Sequence, residues 1–270
     1  MSKKKRKYRC ALCQNYFKKS ELSAEHYPAK SVGNNDIIAL DFTKMIDTIQ
    51  SPIIHNVINK QVIKGEKYEN VIGEIFDSYL ATDLYPEGRT AYSLCRACNT
   101  FLGKYDESYQ KFFNVFGNPE KVKGFQRKTK LQIIKAVFGK FLSLPEAKKE
   151  NFDFRDFVKN VENEQYKGVW NLYLVKRNYT TDLMGFGDIS TGKLSFDEGV
   201  VYELSDEKFI YNLMNFPKHN CFKMTNIFDI LNKNYELVEG VEENGGYHAQ
   251  LQIGKLFTHQ KLDENTLLKK

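Results

Sequence analysis

Two Cys-x-x-Cys pairs constrain this chain more than any other feature in it. Cys10-Ala11-Leu12-Cys13 and Cys95-Arg96-Ala97-Cys98 hold four of the five cysteines, with 81 residues between the pairs. Two cysteines three positions apart can grip one ion from a single tight turn. Two such turns supply the four thiolates that zinc takes tetrahedrally, at about 2.3 Å each. The amino terminus is charged with no apolar segment behind it, so no secretory leader is expected and the thiols should stay reduced. In that setting paired cysteines read as a metal site rather than a disulfide framework. A closed four-sulfur shell leaves no position for water, so the expected zinc is structural. Cys221 stands alone and reads as a core thiol.

Hydrophobic content of 41% and charged content of 27% are those of a globular chain, and 270 residues can bury a sizeable core. No apolar run approaches the roughly 20 residues of a membrane span, so no membrane partner is expected and the expected location is cytoplasmic. The net charge of +6 is unevenly spread. Residues 1–30 carry nine Lys/Arg against two Asp/Glu, and residues 90–150 carry twelve against five. Residues 31–89 and 151–270 are each acidic on balance. The two basic blocks are those that contain the cysteine pairs, which is the distribution a phosphate-binding face needs.

Apolar spacing gives a coarse organisation. Residues 8–24 read as a knuckle with a short hairpin, and 37–85 as a helical, acidic insertion. Tyr92–Leu94 reads as a brief strand. A helix is expected from about Cys98 to Phe116, and a second over 129–143 with Lys128, Lys130, Lys135 and Lys140 on its solvated side. Beyond Pro145, Val169–Val175 and Tyr247–Phe257 read as strands, Thr191-Gly192-Lys193 lies between two more, and Asp206–Met214 reads as a helix. The expected fold class is α+β. Residues 1–118 would form a zinc-supported module with its insertion, 119–150 a connecting helix, and 151–270 an α+β accessory domain.

Chemistry beyond the cysteines concentrates in Glu25-His26 and Asn99. Glu25-His26 precedes Tyr27-Pro28 and follows the first knuckle by a dozen residues. Adjacent residues on a strand point to opposite sides, so the pair would share a substrate only at a twisted or terminal position. Asn99 directly follows Cys98 in the first turn of the expected helix. There it is either a cap or an oxygen ligand for a hard cation. Asp106 lies two turns further along the same face, a spacing that suits an ion pair better than a shared metal. The other histidines read as structural.

Taken in order, Cys10-x-x-Cys13, Glu25-His26-x-Pro28, Gly33, Cys95-x-x-Cys98-Asn99 and Leu102-Gly103 resemble the HNH endonuclease family. The resemblance covers about residues 8–110 and leaves 151–270 outside it. It implies a ββα-metal, treble-clef-like module on a zinc frame. It also implies His26 as general base, and Glu25 with Asn99 as ligands of a catalytic Mg²⁺ or Mn²⁺ that stabilises charge on the scissile phosphate. DNA would be the partner. A homodimer or an ATPase or sensor subunit would be a further one, and a bacterial or phage restriction or anti-phage setting follows by analogy. The sequence departs from the family where Glu25 replaces the usual Asp and where Thr90 stands at the expected middle Asn, a place open to Asn34 or Asn35. The alternative reading is a non-catalytic zinc module that binds nucleic acid or a partner protein.

Overall fold

The first cysteine pair sits in the turn after a strand, and the second where a strand gives way to a helix. The computed structural model describes residues 7–35, 37–40, 47–48, 50–177, 191–196, 199–215 and 224–239. The expected strand Tyr247–Phe257 and the lone Cys221 lie outside them. Strands β1 (Tyr8–Arg9) and β2 (Tyr16–Phe17) pair antiparallel and hold Cys10 and Cys13 in the turn between them. Gln14 adopts a left-handed conformation there, at φ 65°. The cost of that conformation for a residue with a Cβ is offset by its side chain, whose Nε2 donates to Ala11 O at 2.6 Å and Cys10 O at 3.2 Å.

Strand β3 (Leu22–His26) follows, then β4 (Ile37–Leu40), helices α1 (Pro52–Ile63) and α2 (Tyr68–Ile75), and strand β5 (Ala81–Tyr85). Residues Asn35–Gly88 form a compact unit of their own. The insertion is less helical than its apolar spacing predicts, because its two ends pair as antiparallel strands β4 and β5. Helix α1 buries none of its residues, and Ile53 and Ile63 are among its exposed apolar side chains.

The remaining residues make the second unit. Strand β6 (Thr90–Cys95) pairs antiparallel with β3 and runs straight into helix α3 (Arg96–Asn114). Helices α4 (Pro119–Lys123), α5 (Arg127–Phe141) and α6 (Arg155–Lys159) follow. Helix α3 turns Leu102, Tyr105, Tyr109 and Phe112 inward at the three- and four-residue spacing of one helix face. They share a core with Ile133, Ile134, Val137, Phe138 and Phe141 of α5. Approach of the two helices is close at Gly139, where an added Cβ would lie 3.2 Å from Leu102.

Strands β7 (Asn171–Lys176), β8 (Thr191–Phe196), β9 (Gly199–Ser205), β10 (Phe209–Met214) and β11 (Thr225–Asn226) form one antiparallel sheet in the order β11-β7-β10-β9-β8. The expected helix over Asp206–Met214 is therefore a hairpin turn and a strand. All six residues of β10 are buried, so the segment shows neither the alternation of a half-exposed strand nor the stripe of a surface helix. Phe209, Tyr211 and Leu213 join the main core, whereas Ile210 and Met214 join a smaller cluster on the other face. Thr191-Gly192-Lys193 opens β8 instead of linking two strands. The main core runs from Cys10 to Tyr235, so the described part of 151–270 shares it with the cysteine knuckles. No helix among the described residues is long and apolar enough to cross a membrane.

Candidate metal centre and the strand end beside it

The β3–β6 pairing brings the two knuckles together. Leu22 faces Cys95 in the register, and Ala11 N donates to Ser93 O at 2.8 Å, which seats the first knuckle on β6. The four sulfur atoms of Cys10, Cys13, Cys95 and Cys98 lie within 4.8 Å of one another, with Cys13 Sγ 4.0 Å from Cys95 Sγ. The corners of a zinc tetrahedron with 2.3 Å arms are about 3.8 Å apart, so the cluster fits such an ion. None of the four is in a disulfide.

The electrostatics of the thiols point the same way. Burial opposes ionisation of Cys10, but backbone N–H groups of Cys95, Cys13 and Leu12 outweigh it and lower its pKa. Cys98 is pushed far up, by burial first and then by the charge on Cys10, and burial also raises Cys13. One thiolate is welcome here and further ones repel it unless a cation joins them. The four cysteines can hold a metal ion such as zinc.

Beside this centre lie the other expected site residues. Glu25 and His26 end β3, opposite Ala91 and Thr90 of β6, after an irregularity between Ser23 and Glu25. Their neighbouring positions send them to different surroundings, as strand geometry requires. Glu25 is buried at 5% exposure and His26 is half-buried. Asn99, in the first turn of α3, donates from Nδ2 to Ser23 Oγ at 2.7 Å. It thus ties the helix to β3, while Cys95 occupies the cap position.

The carboxylate of Glu25 goes to Lys140 on α5, whose ammonium also donates to Asp106 Oδ2 at 2.8 Å. Lys140 is buried, and burial alone would lower its pKa; Asp106 and Glu25 reverse the sign and raise it. Burial raises Glu25 despite the opposing pull of Lys140. Lys140 is the site residue that sequence reading misses. Its expected place is a solvated side of α5, yet Lys130, Lys135 and Lys140 are all buried. Lys135 Nζ donates to the carbonyls of Asn160 and Val161 at 2.7 and 3.0 Å. The sequence does carry a signal at Lys140: it lies off the face shared by Lys128, Gln132 and Lys135, and its neighbours one and two turns back are Ala136, Val137 and Ile133.

Asn34 is fully buried and spends its side chain on backbone. Its Nδ2 donates to Pro28 O at 2.7 Å and Arg89 O at 3.0 Å, and its Oδ1 accepts from Arg89 N at 2.7 Å. The side chain thereby pins the chain leaving β3 to the chain entering β6.

A catalytic divalent ion fits this arrangement poorly through Glu25. That carboxylate is buried and already neutralised by an ammonium that a second carboxylate shares. Asn99 offers one amide oxygen and brings no charge. Among the described residues, the four cysteines are the one group of three or more His, Cys, Asp or Glu ligand atoms close enough to share an ion. Comparison with family models, with curated proteins and with solved structures returned no match.

Proposed function

We propose that this chain is a zinc-supported, HNH-type phosphodiesterase acting on nucleic acid. The observation that supports the reading is the order of elements on the cysteine centre. Strand β3 ends in Glu25-His26, pairs antiparallel with β6, and is followed through the second knuckle by α3, which carries Asn99 in its first turn. In this reading His26 is the general base that takes a proton from the water attacking phosphorus. The P–O bond to one sugar oxygen breaks, and that oxygen takes up a proton from solvent. Asn99 holds α3 against β3 through Ser23, and the cysteine centre fixes both elements. While Lys140 holds Glu25, that carboxylate does not act as a metal ligand. Glu25 and Asp106 instead anchor Lys140, and with it α5, beneath the strand end.

The Glu25–Lys140 pair specifically favours a second reading, in which the same module binds nucleic acid without cutting it. Plasmid cleavage separates the two. Supercoiled DNA is incubated with the zinc-loaded protein, with and without Mg²⁺ or Mn²⁺, alongside the His26→Ala variant. The nuclease reading expects nicking by the wild type and a loss of about 100-fold or more in the variant, a typical general-base contribution. Equal nicking by both would overturn the role of His26. Salt-sensitive binding with no nicking by either would establish the binding module.

A further inference from the structure

A groove of about 680 Å³ opens on the side of β6 that carries the first knuckle. Its walls come from the knuckle at Cys10 and Ala11, from β6, and from the segment after α5. All of them belong to one unit of the fold. Its size is in the range of ligand-binding clefts; it has room for a short run of nucleotides and not for the body of a duplex.

The charge of the lining is one-sided. Arg9, Lys148, Lys149 and Arg155 face a single acid, Glu150, which accepts a hydrogen bond from Tyr202 at 2.6 Å. Lys148 and Lys149 are exposed and have no ion pair among the described residues. The Arg155 guanidinium is committed to carbonyls: Ala11 O and Phe152 O at 2.8 Å, and Glu150 O at 3.1 Å. Its hydrogen-bond acceptors are neutral; burial first and then Arg9 disfavour its charge, and Asp153 and Asp156 offset part of that. Among the described residues, the free cations of the lining are therefore Arg9, Lys148 and Lys149 rather than Arg155.

Aromatic surface accompanies the charge. Tyr8 and Tyr92 both line the groove, and Tyr92 is 57% exposed. Basic side chains beside exposed rings make up the chemistry that tracks a single strand, with phosphates on the cations and bases on the rings. The groove also meets the strand end. Thr90 on its wall is the register partner of His26 across the β3–β6 pair.

We propose that this groove binds one strand of nucleic acid, with its phosphates on Arg9, Lys148 and Lys149 and a base stacked on Tyr92. The proposal deepens the nuclease reading by naming the path of the strand toward His26, and it rests on that reading only for what happens after binding.

The test uses the full chain with zinc bound and the His26→Ala background, so that nothing is cut. A fluorescent 20-nucleotide oligothymidylate is titrated by anisotropy at several salt concentrations. Lys148→Glu with Lys149→Glu should weaken binding by at least 10-fold. It should also lower the slope of log affinity against log salt by about 1.4, given about 0.7 for each single-strand phosphate that is no longer neutralised. Tyr92→Ala should cost about 5- to 100-fold, with the salt slope unchanged. Zinc content and circular dichroism confirm that the variants are folded, which exposed positions favour. Unchanged affinity in the double variant would overturn the proposal. So would equal competition by a blunt duplex of the same length, or stronger competition by a polyglutamate peptide, which would make the groove a docking site for an acidic protein. Binding at Lys148 and Lys149 without cleavage by the wild type would sink the nuclease reading and leave the groove standing. Cleavage with unaltered binding in the double variant would do the reverse.

Discussion

Lys140 shows how a single side chain can redirect the chemistry of a site. A buried ammonium between two carboxylates is held by charges that each need it, and removing one partner leaves the others uncompensated. Lys140→Met should therefore destabilise the protein by about 3–5 kcal/mol in urea unfolding, far more than loss of an exposed lysine would. Adding Glu25→Gln to that variant should recover part of the loss, because one stranded charge is gone. If Lys140→Met unfolds within about 0.5 kcal/mol of the wild type, the buried pair does not exist in solution. Local pattern cannot reveal the pair itself. Glu25 and Lys140 are 115 positions apart, and a lysine on a helix is ordinarily solvated. The cysteine pairs are legible for the opposite reason: their spacing is itself the ligand geometry.

At the scale of elements, the turn between β9 and β10 carries a second buried acid. Asp206 Oδ1 accepts from the backbone N–H groups of Lys208 and Phe209, both at 2.8 Å, and closes the hairpin. Its other oxygen meets the hydroxyl of Tyr109, which in turn contacts the hydroxyl of Tyr211 at 2.6 Å. Burial raises the Asp206 carboxyl from 3.8 to about 6 against the pull of these donors and of Arg177. The folded chain thus keeps a proton that the unfolded chain has released. The resulting stabilisation is fully present below about pH 4 and is lost as pH rises through 6. At about 1.4 kcal/mol for each pH unit, the window is worth about 3 kcal/mol. Asp206→Asn cannot ionise but still accepts from both N–H groups. The stability of this variant relative to wild type should therefore rise by about that amount between pH 4 and pH 7 in urea unfolding, and a constant difference would refute the assignment. This hairpin is also where sequence and structure part most clearly. A strand buried on both faces has no period of its own, so the apolar run Phe209–Met214 is easily taken for a helix. Helices α3 and α5 are legible because their inward residues recur at helical spacing over several turns.

Across the whole molecule, one core joins the knuckles, α3, α5 and the five-stranded sheet. The residues between Asn35 and Gly88 form a unit apart, entered and left beside the Asn34 clamp. The two basic stretches, far apart in sequence, both contribute to the groove: Arg9 comes from one, Lys148 and Lys149 from the other. Charge counted along the chain anticipates a basic face near the cysteines. It does not anticipate the groove, which depends on where the segment after α5 returns to the first knuckle through Arg155 and Ala11. The strand end and the groove both hang on the cysteine centre, since β3 and β6 form a sheet of only two strands. Such a pair needs a further anchor for stability.

X-ray absorption at the zinc edge, on protein expressed with zinc and desalted, tests that dependence most directly. One zinc per chain with four sulfur neighbours at about 2.3 Å is expected. Cys98→Ser should lose that signal and the folded state together, in keeping with binding energies of about 10–16 kcal/mol for structural zinc. A metal-free, fully folded wild type, or an ion bound through nitrogen and oxygen, would contradict the account.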